Sequence, residues 1–203
     1  MMSRCVKTQA VYTSTYTFAV SPLWFGLLFF LASTNNLLAS EDEHKGASPN
    51  KVESLSGYRL KYSVRTTAKK STIWRLWADV ENWKKFDTLL EYSRLDDEQA
   101  FELGATGVIK AKGNRKARFT ITELIRGVSF TEKLFVPLYQ SIDLKRYFEQ
   151  SDEGETIFVH EVVFKGRLRF LIYAAAAKTF KKELPLVMGR LKEVAESEEA
   201  LLR

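Results

Sequence analysis

From Leu90 to Gly166 the chain keeps a two-residue alternation of apolar and polar side chains. Turn residues break it into segments at roughly 90–96, 106–112, 116–125, 128–135, 140–150 and 155–165. Directly after it, Leu168 to Glu196 carries Leu171, Phe180, Leu184, Val187, Leu191 and Val194 near helical spacing. A meander followed by one long amphipathic helix has few ways to bury both apolar surfaces, and the direct one lays the helix on the concave face of the sheet. The expectation is therefore an α+β fold: a curved antiparallel sheet wrapped around a C-terminal helix, with an interior between them suited to apolar ligands. Pro185 is expected to kink or loosen the helix.

Upstream, Leu60, Tyr62 and Val64 alternate with Lys61, Ser63 and Arg65 and read as a half-buried strand. Ile73, Leu76, Trp77 and Val80 then fall on one helical face, with Thr67 or Ser71 as the expected cap. Asp79 to Phe86 reads as a second short helix carrying Trp83 and Phe86.

The N-terminus has the layout of an address. Arg4 and Lys7 precede an apolar run from Leu23 to Ala32, which ends in small and polar residues up to Ala39-Ser40. That run is shorter than the ~20 residues a bilayer span needs, and its order is that of a secretory signal peptide. Residues 1–40 are read as a signal peptide cleaved after Ala39 or Ser40, or as an uncleaved N-terminal anchor, which places the domain in the periplasm or outside the cell. Residues 41–57, polar with Pro49 and Gly57, read as a linker, and 58–198 as the folded domain. The formal charge of +6 falls to +4 without the leader. The one cysteine, Cys5, lies in the leader, so the domain has no disulfide, cysteine zinc site or thiol nucleophile. With His44 and His160 its only histidines, no metal and no cofactor is expected.

Two hairpins indicate which residues face inward. Around Gly113-Asn114, opposing 109 with 119 and 111 with 117 gathers Ile109, Ala111, Ala117, Phe119 and Ile121 inside. Lys110, Lys112, Lys116 and Arg118 then lie outside, with Arg115 at the tip. Around Asp152-Glu153-Gly154, opposing 151 with 155 gives the inner pairs Ile142/Phe164, Leu144/Val162, Arg146/His160 and Phe148/Phe158. The same register gives an outer charge pair, Lys145/Glu161. Arg146 and His160 are the polar positions in this stripe. The hairpin offers no carboxylate to partner the arginine, so either a polar or anionic ligand head supplies one or Arg146 snorkels to the mouth of the interior.

The segment from Ala68 to Trp83 (Ala-Lys-Lys-Ser-Thr-Ile-Trp-Arg-Leu-Trp-Ala-Asp-Val-Glu-Asn-Trp) resembles the opening of START-like (SRPBCC) domains of the polyketide cyclase/dehydrase type. Arg118-Phe-Thr-Ile-Thr-Glu123 is similar to a sheet strand of that family. Gly154-Glu-Thr156 and Phe164-Lys-Gly166 echo its closing strand imperfectly. The resemblance spans about Tyr58 to Ala195. It implies a helix-grip fold with a deep apolar cavity, in a family that includes lipid carriers, quinone-binding proteins, plant ligand-binding allergens and a few aromatase/cyclases.

The expected ligand-contacting residues are Trp77, Phe119, Ile121, Ile142, Leu144, Arg146, Phe158, His160, Val162, Phe164, Phe180 and Leu184. Trp77 and Trp83 read as core packing ahead of ligand contact, in the company of Trp74 and Phe86. Ala174 to Ala177 leave room on the helix. The function that follows is an exported carrier or sequestering protein for a hydrophobic small molecule or lipid. A cyclase or dehydratase would use His160 as acid or base, with Tyr139 or Tyr147 as proton donors. A third reading makes the chain an accessory protein whose basic face (Lys110, Lys112, Arg115, Lys116, Arg118) docks peripherally on anionic membrane or on a partner. That face lacks aromatics to stack bases, so nucleic acid is not an expected partner.

Overall fold

The computed structural model describes residues 52–201 apart from positions 56, 98, 114–115, 139 and 151–154. The residues read as a leader, Arg115, Tyr139 and the segment 152–154 read as a turn lie outside the described residues. In order come β1 (Glu53–Leu55), β2 (Arg59–Thr66), α1 (Lys70–Ala78), a 3-10 helix (Val80–Lys85), β3 (Leu90–Leu95), β4 (Thr106–Ala111), β5 (Lys116–Ile125), β6 (Ser129–Val136), β7 (Gln140–Glu149), β8 (Thr156–Lys165) and α2 (Arg169–Leu201). The strands form a single antiparallel, curved sheet in the order β1-β2-β8-β7-β6-β5-β4-β3. β2 thus pairs with the last strand, β8, and α2 packs on β2, β8 and α1. The architecture inferred from the meander and its following helix is the one observed. β1, within the stretch read as linker, pairs Glu53 with Lys61 and Leu55 with Arg59.

The β7–β8 register is the inferred one throughout: Ile142 faces Phe164, Leu144 faces Val162, Arg146 faces His160, Phe148 faces Phe158, and Lys145 faces Glu161. The β4–β5 register differs by two residues. Ile109 faces Ala117 and Gly107 faces Phe119, and the β4–β5 pairing ends at Lys110 and Lys116. A two-residue shift leaves inside and outside unchanged, but it sets Lys110 opposite Lys116. That repulsion is offset by Glu91, 2.7 Å from Lys110 Nζ, and by the Tyr92 ring beneath Lys116. A bulge between Ile121 and Glu123 bends β5 and brings Leu124 back toward the core.

Two local readings are corrected, the cap of α1 and the placing of Leu171. Neither Thr67 nor Ser71 caps α1. Lys69 occupies the cap without a side-chain bond, and α2 supplies the acceptors instead. Glu199 accepts from the Lys69 amide at 2.7 Å, and Glu196 from the Thr67 amide at 3.0 Å and the Thr66 hydroxyl at 2.7 Å. This tertiary cap replaces a local one and fastens the far end of α2 to the start of α1. The helix is continuous across Pro185 and buries Ala177, Leu184, Met188, Leu191 and Ala195. Leu171, placed on the apolar stripe from sequence, is exposed at the first turns of α2. The second short helix expected after α1 is present as the 3-10 helix Val80–Lys85, and it packs on β3.

Phe119 is fully buried opposite Gly107, whose missing side chain makes the space: a Cβ there would collide with the Phe119 ring and the Arg94 carbonyl oxygen. Gly107→Ala is expected to lower stability by about 1–3 kcal/mol, read as a shift of the urea midpoint at unchanged m-value. An unchanged midpoint would show that the ring is not held against this backbone.

A buried polar cluster beneath the sheet

Along residues 142–148 of β7 and 158–164 of β8 the inner face is apolar except at Arg146 and His160, and both are buried there. The register of β6 adds a third polar residue. Phe130 faces Arg146, Glu132 faces Leu144, and Leu134 faces Ile142, so Glu132 points into the interior, 1% exposed. Arg146 Nη1 donates to Glu132 Oε2 at 3.0 Å. This overturns the expectation that the arginine lacks a protein carboxylate. The partner sits on the third strand, diagonal to Arg146, where a register confined to the β7–β8 hairpin does not reach. Nor does Arg146 snorkel to a mouth. Its guanidinium lies between Trp83 and Phe130, 4.9 Å and 5.1 Å from their ring centroids.

Each of those rings is itself held. Trp83 Nε1 donates to the Trp77 carbonyl oxygen at 2.9 Å, and the ring lies tilted over Phe119 at 5.8 Å. Trp77 packs among Phe130, Phe148 and Phe158, which is the core-packing role. The route from the sheet to the cluster is thus Gly107, Phe119, Trp83, Arg146.

Two further groups complete the cluster. Asp87, half-buried just before β3, has its carboxyl raised from the ordinary range by burial, against the backbone N–H of Leu89 and the charge of Arg146. Glu183, from α2, is the acid whose charge bears on it from the helix side. Glu132 is likewise raised, by burial first, with Arg146 opposing and Asp87 reinforcing. His160, opposite both Arg146 and Tyr62, is held well below its usual range by burial and by Arg146, and so is neutral at pH 7. Among the described residues, Glu132 Oε1 and His160 Nε2 are buried and make no hydrogen bond. Buried polar atoms without partners are uncommon and call for a reason.

Of the other expected site residues, Phe119 and Ile121 (β5), Ile142 and Leu144 (β7), and Phe158, Val162 and Phe164 (β8) are all buried in one core cluster with Leu184 of α2. Phe180 packs edge-on to Phe164 at 5.8 Å. Tyr147 lies on the outer face, paired with Ser129 and Val159. Lys110, Lys116 and Arg118 share the outer face of β4–β5, with Lys112 in the turn after β4; Glu91 pairs with Lys110 and Asp96 with Arg118. Acids from β3 and the turn after it thus interrupt the basic stripe. No group of three or more metal-ligating side chains is found among the described residues, and none of their helices is long and apolar enough to cross a membrane.

Sequence reasoning missed Glu132 and Asp87. For Glu132 a signal existed: in Ser129–Val136 one of the two alternating faces reads Phe130, Glu132, Leu134, an acid flanked by apolar side chains. Asp87 lies in a turn, where no periodicity marks facing.

Removing one partner of a buried pair strands the other charge. Arg146→Met and Glu132→Leu are each expected to cost about 3–5 kcal/mol, and the double variant much less than their sum. Additive losses in urea unfolding would show that the two side chains are not coupled.

No family model matches the chain, and no curated protein matches it. Solved structures do. A protein from Arthrobacter aurescens superposes with a TM-score of 0.56 at 12% identity, covering 74% of this chain and 93% of that one. The di-domain ARO/CYC StfQ from the steffimycin biosynthetic pathway gives 0.55 at 9% identity over 70% of this chain, which spans about half (52%) of StfQ. Ginseng major latex-like protein 151 from Panax ginseng gives 0.50 at 11% identity, covering 68% and 96%. At these identities the likeness is one of fold, and the fold is the START-like helix grip.

Proposed function

We propose that this helix-grip chain is an exported binding protein that holds a hydrophobic small molecule or lipid between its sheet and α2, as a carrier or sequestering protein. The observation that carries the reading is the pair of buried atoms without protein partners, Glu132 Oε1 and His160 Nε2, set in an otherwise apolar interior. Apolar residues of β5, β7, β8 and α2 supply affinity by burial, and the polar cluster orients one end of the ligand. The helix-grip neighbours give the reading a context in fold. Export rests on the leader's composition: a positive region, an apolar run too short to span a bilayer, then small residues.

Entry requires a soft point. The β6–β7 turn at Val136-Pro137 and the start of α2 meet through Gln140, whose Nε2 donates to the Leu138 carbonyl at 2.7 Å and whose Oε1 accepts from the Leu168 amide at 2.9 Å. Parting these bonds frees the turn from the helix.

A second reading, a cyclase or dehydratase, draws on one observation: a buried neutral imidazole with an unpartnered Nε2 is a competent proton acceptor. The two readings separate at His160→Ala. A carrier changes affinity only, whereas an enzyme loses turnover and keeps its ligand. The first experiment is native mass spectrometry of the domain purified from its own host, followed by solvent extraction. A stoichiometric apolar ligand is the expected result. An empty protein that also fails to bind a panel of apolar probes would overturn the proposal.

A further inference from the structure

The polar cluster is short of positive charge. One guanidinium, Arg146, faces Glu132 at 3.0 Å and also feels Asp87, with Glu183 of α2 beyond it. Its remaining surroundings are the faces of Trp83 and Phe130 and the neutral His160. The charge of the arginine is therefore already balanced by a protein carboxylate and its faces lie against two rings, so a second anion meets no unpaired positive charge here.

The two atoms left unpartnered, one strand to either side of Arg146, have a definite chemistry. Glu132 Oε1 belongs to a carboxylate that already receives Arg146 on its other oxygen, so it calls for a donor. His160 Nε2 accepts or donates according to its tautomer. We infer, resting on the reading of this interior as a ligand site, that its ligand carries an uncharged, proton-donating head, an alcohol or phenol, and that carboxylate and phosphate heads are rejected. A hydroxyl donates to Glu132 Oε1 and keeps lone pairs for any donor nearby. A carboxylate has no proton to give, and it places another negative charge beside Glu132 and Asp87 in a medium of low dielectric. An ester or ketone accepts only, and so leaves Glu132 Oε1 unpaired. Rejection by like charge is a means of specificity independent of apolar fit.

The test uses the intact domain, Nile red as an uncharged reporter of the interior, and three competitors of equal chain length: 1-dodecanol, methyl dodecanoate and dodecanoate at pH 7.5. The expected order of displacement is dodecanol, then ester, then dodecanoate, with dodecanol ahead of dodecanoate by about tenfold or more. Glu132→Gln removes one negative charge and leaves Arg146 without an anionic partner, so it is expected to shift the preference toward dodecanoate by about tenfold. Asp87→Asn, at a half-buried position, shifts it the same way and serves if Glu132→Gln does not fold. Preference for dodecanoate in the unaltered protein, or an order indifferent to both substitutions, overturns the inference while leaving ligand binding intact. Failure of Nile red and all three competitors to bind overturns the binding reading and this inference with it.

Discussion

A charged pair buried beneath a sheet is the constraint around which this interior is arranged. Taking a guanidinium and a carboxylate out of water costs several kcal/mol per ion, and only close geometry offsets it. Here the offset comes from three elements at once. β7 supplies Arg146, β6 supplies Glu132, and the 3-10 turn supplies Trp83, whose face covers the guanidinium. The turn can do this because Trp83 is pinned to the Trp77 carbonyl and rests on Phe119, which in turn occupies the space left open at Gly107. A glycine four strands away in the sheet order from His160 thereby helps set the position of the polar cluster.

The two ends of α2 are fastened by different chemistry. Its start is joined to the β6–β7 turn by the single side chain of Gln140, and Gly166 gives that side chain the room it needs. Its far end is anchored by Glu196 and Glu199 to the backbone and hydroxyls that open α1. Burial tends to raise the Glu196 carboxyl, but hydrogen bonds from Thr66 and Thr67 and the charge of Lys192 outweigh it, so the group is held below its ordinary range. A carboxylate of that kind contributes stability above its unfolded pKa and loses it as the pH falls through the folded value. The gripping helix is thus secured more firmly at its C-terminal end, and the corner near Leu138 and Leu168 is the more easily parted.

What the sequence made legible was the part governed by periodicity. The β7–β8 pairing could be deduced because one register alone sorted the apolar stripe and paired Lys145 with Glu161. The facing of β4 and β5 was legible for the same reason, and the two-residue error in pairing was invisible because a shift of two leaves facing unchanged. The α1 cap was not legible, since its acceptors lie about 130 residues away in α2. Glu132 escaped because its meaning depends on the register of a third strand. The hairpin showed a buried arginine without a partner, and the sheet as a whole provides one.

His160 is the most direct probe of the ligand site, because that reading requires an imidazole that stays neutral in a buried, arginine-flanked interior. The measurement is nitrogen NMR of the His160 side chain across a pH titration, with and without 1-dodecanol. The account predicts a ring that stays neutral through the range in which an ordinary imidazole titrates and a ligand-dependent change at Nε2. A ring that titrates near the ordinary value of 6.5 and ignores the alcohol would contradict it.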